Sequence, residues 1–96
     1  MEKQNNVRHA GEAETSMLLY LKPGLVDQNV LEQSDGPENI KMMDSGFYRW
    51  KSFKSMSPNG VIGFPSAASA EKGELLLNSA AEGLIRILED PEIWSD

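Results

Sequence analysis

The sequence predicts part of an α/β fold, mostly two helices and connecting loops with a short strand or two, and three observations carry that reading. An apolar stripe at helical spacing runs through residues 69–89, a shorter one through residues 12–21, and convincing alternating strands are nearly absent between them. The longer stripe is too broad for one thin surface contact, so its natural cover is a sheet face that these 96 residues barely supply.

Taken in order, residues 1–8, MEKQNNVR, are polar and predict a disordered or fraying lead. Residues 9–89 form the main segment and residues 90–96 a C-terminal tail. From Glu12 to Leu21 the pattern turns helical: Met17, Leu18 and Leu21 share a face, Leu19 flanks it, and Glu12 and Glu14 suit the positive end of the helix dipole. Pro23-Gly24 stops this helix. A short turn around Leu25–Leu31 precedes Ser34-Asp35-Gly36-Pro37, a cluster of turn residues that opens a polar connection.

In residues 38–65 the aromatics Phe47, Tyr48, Trp50 and Phe53 are interleaved with Arg49, Lys51 and Lys54. Such a mixture can form a platform for single-stranded nucleic acid, but in an acidic chain it reads as loop residues packing on a neighbour. Asn59-Gly60 then introduces the short apolar run Val61-Ile62-Gly63-Phe64, closed by Pro65, a loop or an edge strand. The last helix is the clearest. Leu77, Ala80, Ala81, Leu84 and Leu88 recur at helical spacing, Leu76, Ile85 and Ile87 widen the stripe, the charged residues lie largely elsewhere on the wheel, and Asp90-Pro91 ends it.

Composition removes several function classes. With 15 Asp+Glu against 9 Lys+Arg the formal charge is −6, which repels phosphate backbones and anionic lipid, so neither nucleic acid nor a membrane is an expected partner. The absence of cysteine excludes disulfides, thiolate zinc sites and a cysteine nucleophile. With no apolar run of spanning length and no export-like start, a cytoplasmic location is expected.

Two segments carry a resemblance. His9-Ala10-Gly11-Glu12-Ala13-Glu14-Thr15-Ser16, followed by an apolar helix, Pro23 and Leu25-Val26-Asp27, resembles the HAGExETS segment of the creatininase (creatinine amidohydrolase) family. Gly60-Val61-Ile62-Gly63-Phe64-Pro65, then Ala68-Ser69-Ala70-Glu71-Lys72-Gly73, resembles that family's late GVxGDPxxAsaeKG segment. The blocks occur in family order and cover the chain from His9 to about Leu88. Two positions depart from the pattern: Arg8 stands where the family usually has glycine, and Phe64 where it usually has aspartate.

The resemblance implies the C-terminal part of a three-layer α/β/α fold in a metal-dependent hydrolase of cyclic-amide or formamide C–N bonds. In the complete family fold a pair of divalent metals, zinc, manganese or iron, activates a water for attack on the amide. By the same resemblance His9 is the catalytic histidine, suited by its near-neutral pKa to exchanging a proton with the substrate amide. Glu14 matches the acidic residue of the ETS triplet, which orients His9 or completes a metal's ligand set. No substrate-binding or cofactor-binding residue is assigned.

The residues allow plainer readings as well. His9 can be a solvated side chain on a flexible N-terminus, and Glu12 and Glu14 dipole-favoured acids in a first helical turn. Thr15 and Ser16 read as hydrogen-bonding or capping residues.

Most family metal ligands lie in segments with Glu-x-His and Asn-Gly-His spacing, neither of which occurs in this sequence. The chain alone is therefore expected to bind no metal tightly and to be inactive without a complementary metal-binding half, as a truncated fragment or split subunit. The expected partners are that half, or further copies in a homo-oligomer, with a small cyclic amide or formamide as substrate. The alternative is a non-catalytic interaction module that binds a protein through its apolar helix.

Overall fold

A computed structural model describes residues 1–37 and 51–96. The aromatic and basic run of Phe47, Tyr48, Arg49 and Trp50 lies outside the described residues. Helix α1 spans Glu12–Leu21, with Gly11 at its N-cap and Glu12 and Glu14 in its first turn. Lys22 closes it by donating its backbone N–H to the Leu18 carbonyl, and Pro23–Leu25 turns the chain in a 3-10 helix. Asp27 then caps a second 3-10 helix, Gln28–Gln33, by accepting the Asn29 N–H.

After the undescribed stretch, Ser52 caps a single helical turn, α2, Phe53–Met56. A 3-10 turn, Pro65–Ala67, leads into α3, Ala70–Glu89, whose N-cap Ser69 accepts the Lys72 N–H at 3.2 Å. Pro91–Trp94 folds back at the other end, and the Trp94 indole N–H donates to the Leu88 carbonyl at 2.8 Å, occupying one of the acceptors a helix end leaves open. Both principal helices lie where hydrophobic spacing predicts them.

The main packing contact is between α1 and α3. Gly73 faces the backbone of α1 so closely that a Cβ there would collide with the Ser16 carbonyl oxygen. The fully buried Ser16 seals the same crossing, its Oγ accepting the Ser69 N–H at 3.1 Å. The apolar core among the described residues is small, limited to Ala13, Leu19 and Ile62. Along the far half of α3 the broad stripe is uncovered: Leu84, Ile85, Ile87 and Leu88 are each about half exposed.

Two expectations are corrected. First, no strand forms among the described residues. His9 and Ile62 make one isolated antiparallel bridge, and the pairing goes no further because Gly63 turns to φ +137° and Pro65 has no N–H to donate. Second, residues 2–4 are not a frayed lead. Gln4 is 3% exposed, and the backbone N–H groups of Glu2, Lys3 and Gln4 all donate to the Glu12 carboxylate.

Candidate functional site

His9 sits where the two motif blocks meet. Its backbone exchanges both hydrogen bonds with Ile62, His9 N–H to Ile62 O at 3.1 Å and Ile62 N–H to His9 O at 2.9 Å. Its exposed ring packs edge-on against Phe53, with centroids 4.7 Å apart and planes at 70°. The backbone turns at once into α1 through Ala10, which takes a left-handed φ of 51°. Two side chains from the first turn of α1 hold that bend: Ala10 N–H donates to Glu14 Oε2 at 3.3 Å, and Thr15 Oγ1 donates to the Ala10 carbonyl at 3.2 Å.

Glu14 therefore meets the backbone beside His9 rather than the imidazole. Glu14 also lines a groove of about 470 Å³ whose other walls include Ala10, Thr15, Leu18, Leu21 and Leu77. Of the two motif hydroxyls, Thr15 fixes the turn and Ser16 the helix crossing, so both serve as hydrogen-bonding residues.

Behind this face lies a buried charge cluster that sequence reasoning missed. Glu12 is 0% exposed, and its oxygens accept the N–H groups of Glu2 at 2.7 Å, Lys3 at 3.0 Å and Gln4 at 3.0 Å. Lys72 of α3 brings its ammonium to 3.0 Å from Glu12 Oε2, bonds the Ala67 carbonyl and lies 3.1 Å from Glu2. Burial by itself pushes the Glu12 carboxyl up. The Glu2 N–H, the Lys72 ammonium and the N–H groups of Gln4 and Lys3 together outweigh it and hold the group down to about 2. Lys72 moves upward, because its pairing with Glu12 and Glu2 overcomes a desolvation that pulls it down.

A carboxyl lowered from 4.5 to about 2 stabilises the fold above the unfolded value, and that stabilisation is lost as pH falls through the folded one. The amount is on the order of 3 kcal/mol at ~1.36 kcal/mol per unit. Denaturant unfolding followed by far-ultraviolet dichroism should accordingly weaken between pH 4.5 and 2. Glu12→Gln should flatten that part of the profile, and an unchanged acid limb in this variant would contradict the assignment.

A divalent-metal pair needs several carboxylate and imidazole donors converging on adjacent ions. Among the described residues no group of three or more His, Asp or Glu side chains is placed to hold an ion, and the sequence has one histidine. The donors among the described residues do not fit such a pair. Among the described residues, too, no helix is long and apolar enough to cross a membrane.

The His9 bridge and the Glu12–Lys72 pair join the two sequence blocks into one unit, and comparison with known families agrees with that grouping. Residues 1–88 match the family model described as Creatininase: Creatinine amidohydrolase. The chain belongs to the creatininase family, a family of amidohydrolase type. No curated protein and no solved structure matches it.

Proposed function

We propose that this chain supplies the histidine side of a metal-dependent amidohydrolase site acting on the C–N bond of a small cyclic amide or formamide. The family match over residues 1–88 carries this reading, with His9 held at the junction of both motif blocks. His9 exchanges a proton with the amide, and Glu14 steadies it through the Ala10 N–H. Most of the metal ligands come from outside these 96 residues, with Glu14 either orienting His9 or completing the set, and the chain alone neither binds zinc or manganese tightly nor hydrolyses amide. In the assembled enzyme the uncovered stripe of α3 packs against the sheet of a three-layer α/β/α fold.

The test is reconstitution with a polypeptide carrying Glu-x-His and Asn-Gly-His segments. Amide hydrolysis is expected from the mixture and from neither component alone. A second reading, an interaction module without catalysis, draws on the half-exposed Leu84, Ile85, Ile87 and Leu88. Stable association without any hydrolysis would favour it.

A further inference from the structure

We propose that Gln4 is a positioning residue for His9, its side-chain oxygen bracing the two segments that the His9–Ile62 bridge joins. This inference rests on the proton-transfer role of His9 proposed above. Gln4 Oε1 accepts the Glu12 N–H at 2.7 Å, three residues beyond His9, and the Phe64 N–H at 2.9 Å, two residues beyond Ile62. One atom thus ties both arms just past the bridge, and those arms cannot part without breaking one of these two hydrogen bonds. Because both partners are N–H donors, the atom facing them is the carbonyl oxygen and the amide has one satisfactory orientation. Its nitrogen donates to the Asn6 carbonyl at 3.3 Å.

Gln4 is itself anchored. Its backbone N–H donates to Glu12 Oε1, and Glu12 is held by Lys72, so polar contacts connect α3 to the backbone at Glu12 and Phe64, just beyond the His9–Ile62 bridge on either side. The glycines of the two blocks fit the same oxygen. A Cβ at Gly11 or at Gly63 would collide with Gln4 Oε1, so glycine in HAGE and in GVIG leaves the space this brace occupies. Gln4 lies in neither block, and its 3% exposure is the observation that singles it out.

The test uses nuclear magnetic resonance on the 96-residue chain at one neutral pH. In the wild-type chain, scalar couplings across the hydrogen bonds are expected from the Glu12 and Phe64 amide nitrogens to the Gln4 side-chain carbonyl carbon. Their absence would overturn the inference without recourse to any variant. In Gln4→Met, exchange of the His9 and Ile62 amide protons should quicken by about tenfold or more relative to α3 amides, and the His9–Phe53 ring contact should vanish from the Overhauser spectrum. Unchanged bridge amides and an unchanged ring contact would overturn it, as would equal acceleration of every amide. None of these readouts uses activity. Failure here leaves the chemistry of His9 standing, whereas couplings that are present in a chain whose His9 proves dispensable would refute the proposed function and leave Gln4 bracing a bridge that positions no reacting group.

Discussion

Lys72→Met is expected to destabilise the chain by about 3 kcal/mol at pH 7, the lower end of the range for removing one member of a buried ion pair. The lower end applies because Glu12 keeps three backbone N–H donors and Lys72 is itself 19% exposed. What remains is a fully buried carboxylate without its cation, and it responds by taking up a proton at higher pH than before. Against the ~5–15 kcal/mol that holds a typical domain together, such a loss is large. Urea unfolding monitored by far-ultraviolet dichroism measures it. The double variant Lys72→Met, Glu12→Gln should lose less than the two single losses combined, since both remove the same interaction. Strict additivity would mean that the pair contributes nothing of its own.

Gly73→Ala is expected to cost about 2 kcal/mol although alanine is the better helix former, because overpacking at ~1–3 kcal/mol or more outweighs the roughly 0.5–1 kcal/mol gained in propensity. The added carbon meets the Ser16 carbonyl oxygen, which belongs to a backbone and cannot rotate away. α1 and α3 must move apart, stretching the Ser16 Oγ bond to the Ser69 N–H. Gly83 supplies the control on the same helix. A Cβ there meets nothing within 4 Å, so Gly83→Ala should stabilise by about 0.5–1 kcal/mol. Thermal unfolding of the two variants should therefore shift in opposite directions. A common sign would show that the α1–α3 crossing is not as close as described.

What the sequence discloses divides along the distance between interacting residues. The helices Glu12–Leu21 and Ala70–Glu89 are written in side-chain spacing within each segment, and so are the proline and glycine that follow α1. The motif that nominates His9 is contiguous. The contacts that seat it are not. Gln4 to Phe64 and Glu12 to Lys72 each span 60 residues, and no local pattern pairs them. Glu12 reads as a first-turn acid because that is where it stands, and only its complete burial reveals the cluster. MEKQNNVR reads as a loose lead because polarity usually means solvent, whereas here the backbone of that stretch supplies the donors Glu12 needs. Among the described residues, the edge-strand reading of residues 61–64 gives way to the loop reading for a related reason. Val61-Ile62-Gly63-Phe64 has apolar residues but also a glycine at φ +137°, and a single bridged pair is all it forms.

The measurement that bears most directly on the central claim is the effect of His9→Ala in the reconstituted enzyme, with turnover of a small cyclic amide and bound metal determined on the same sample. If this chain contributes the proton-transfer group while the metal ligands lie elsewhere, turnover should fall by about 10²–10⁴-fold with metal content unchanged. Parallel loss of metal and activity would make His9 a ligand, and undiminished turnover would remove it from the chemistry; either result would contradict the account.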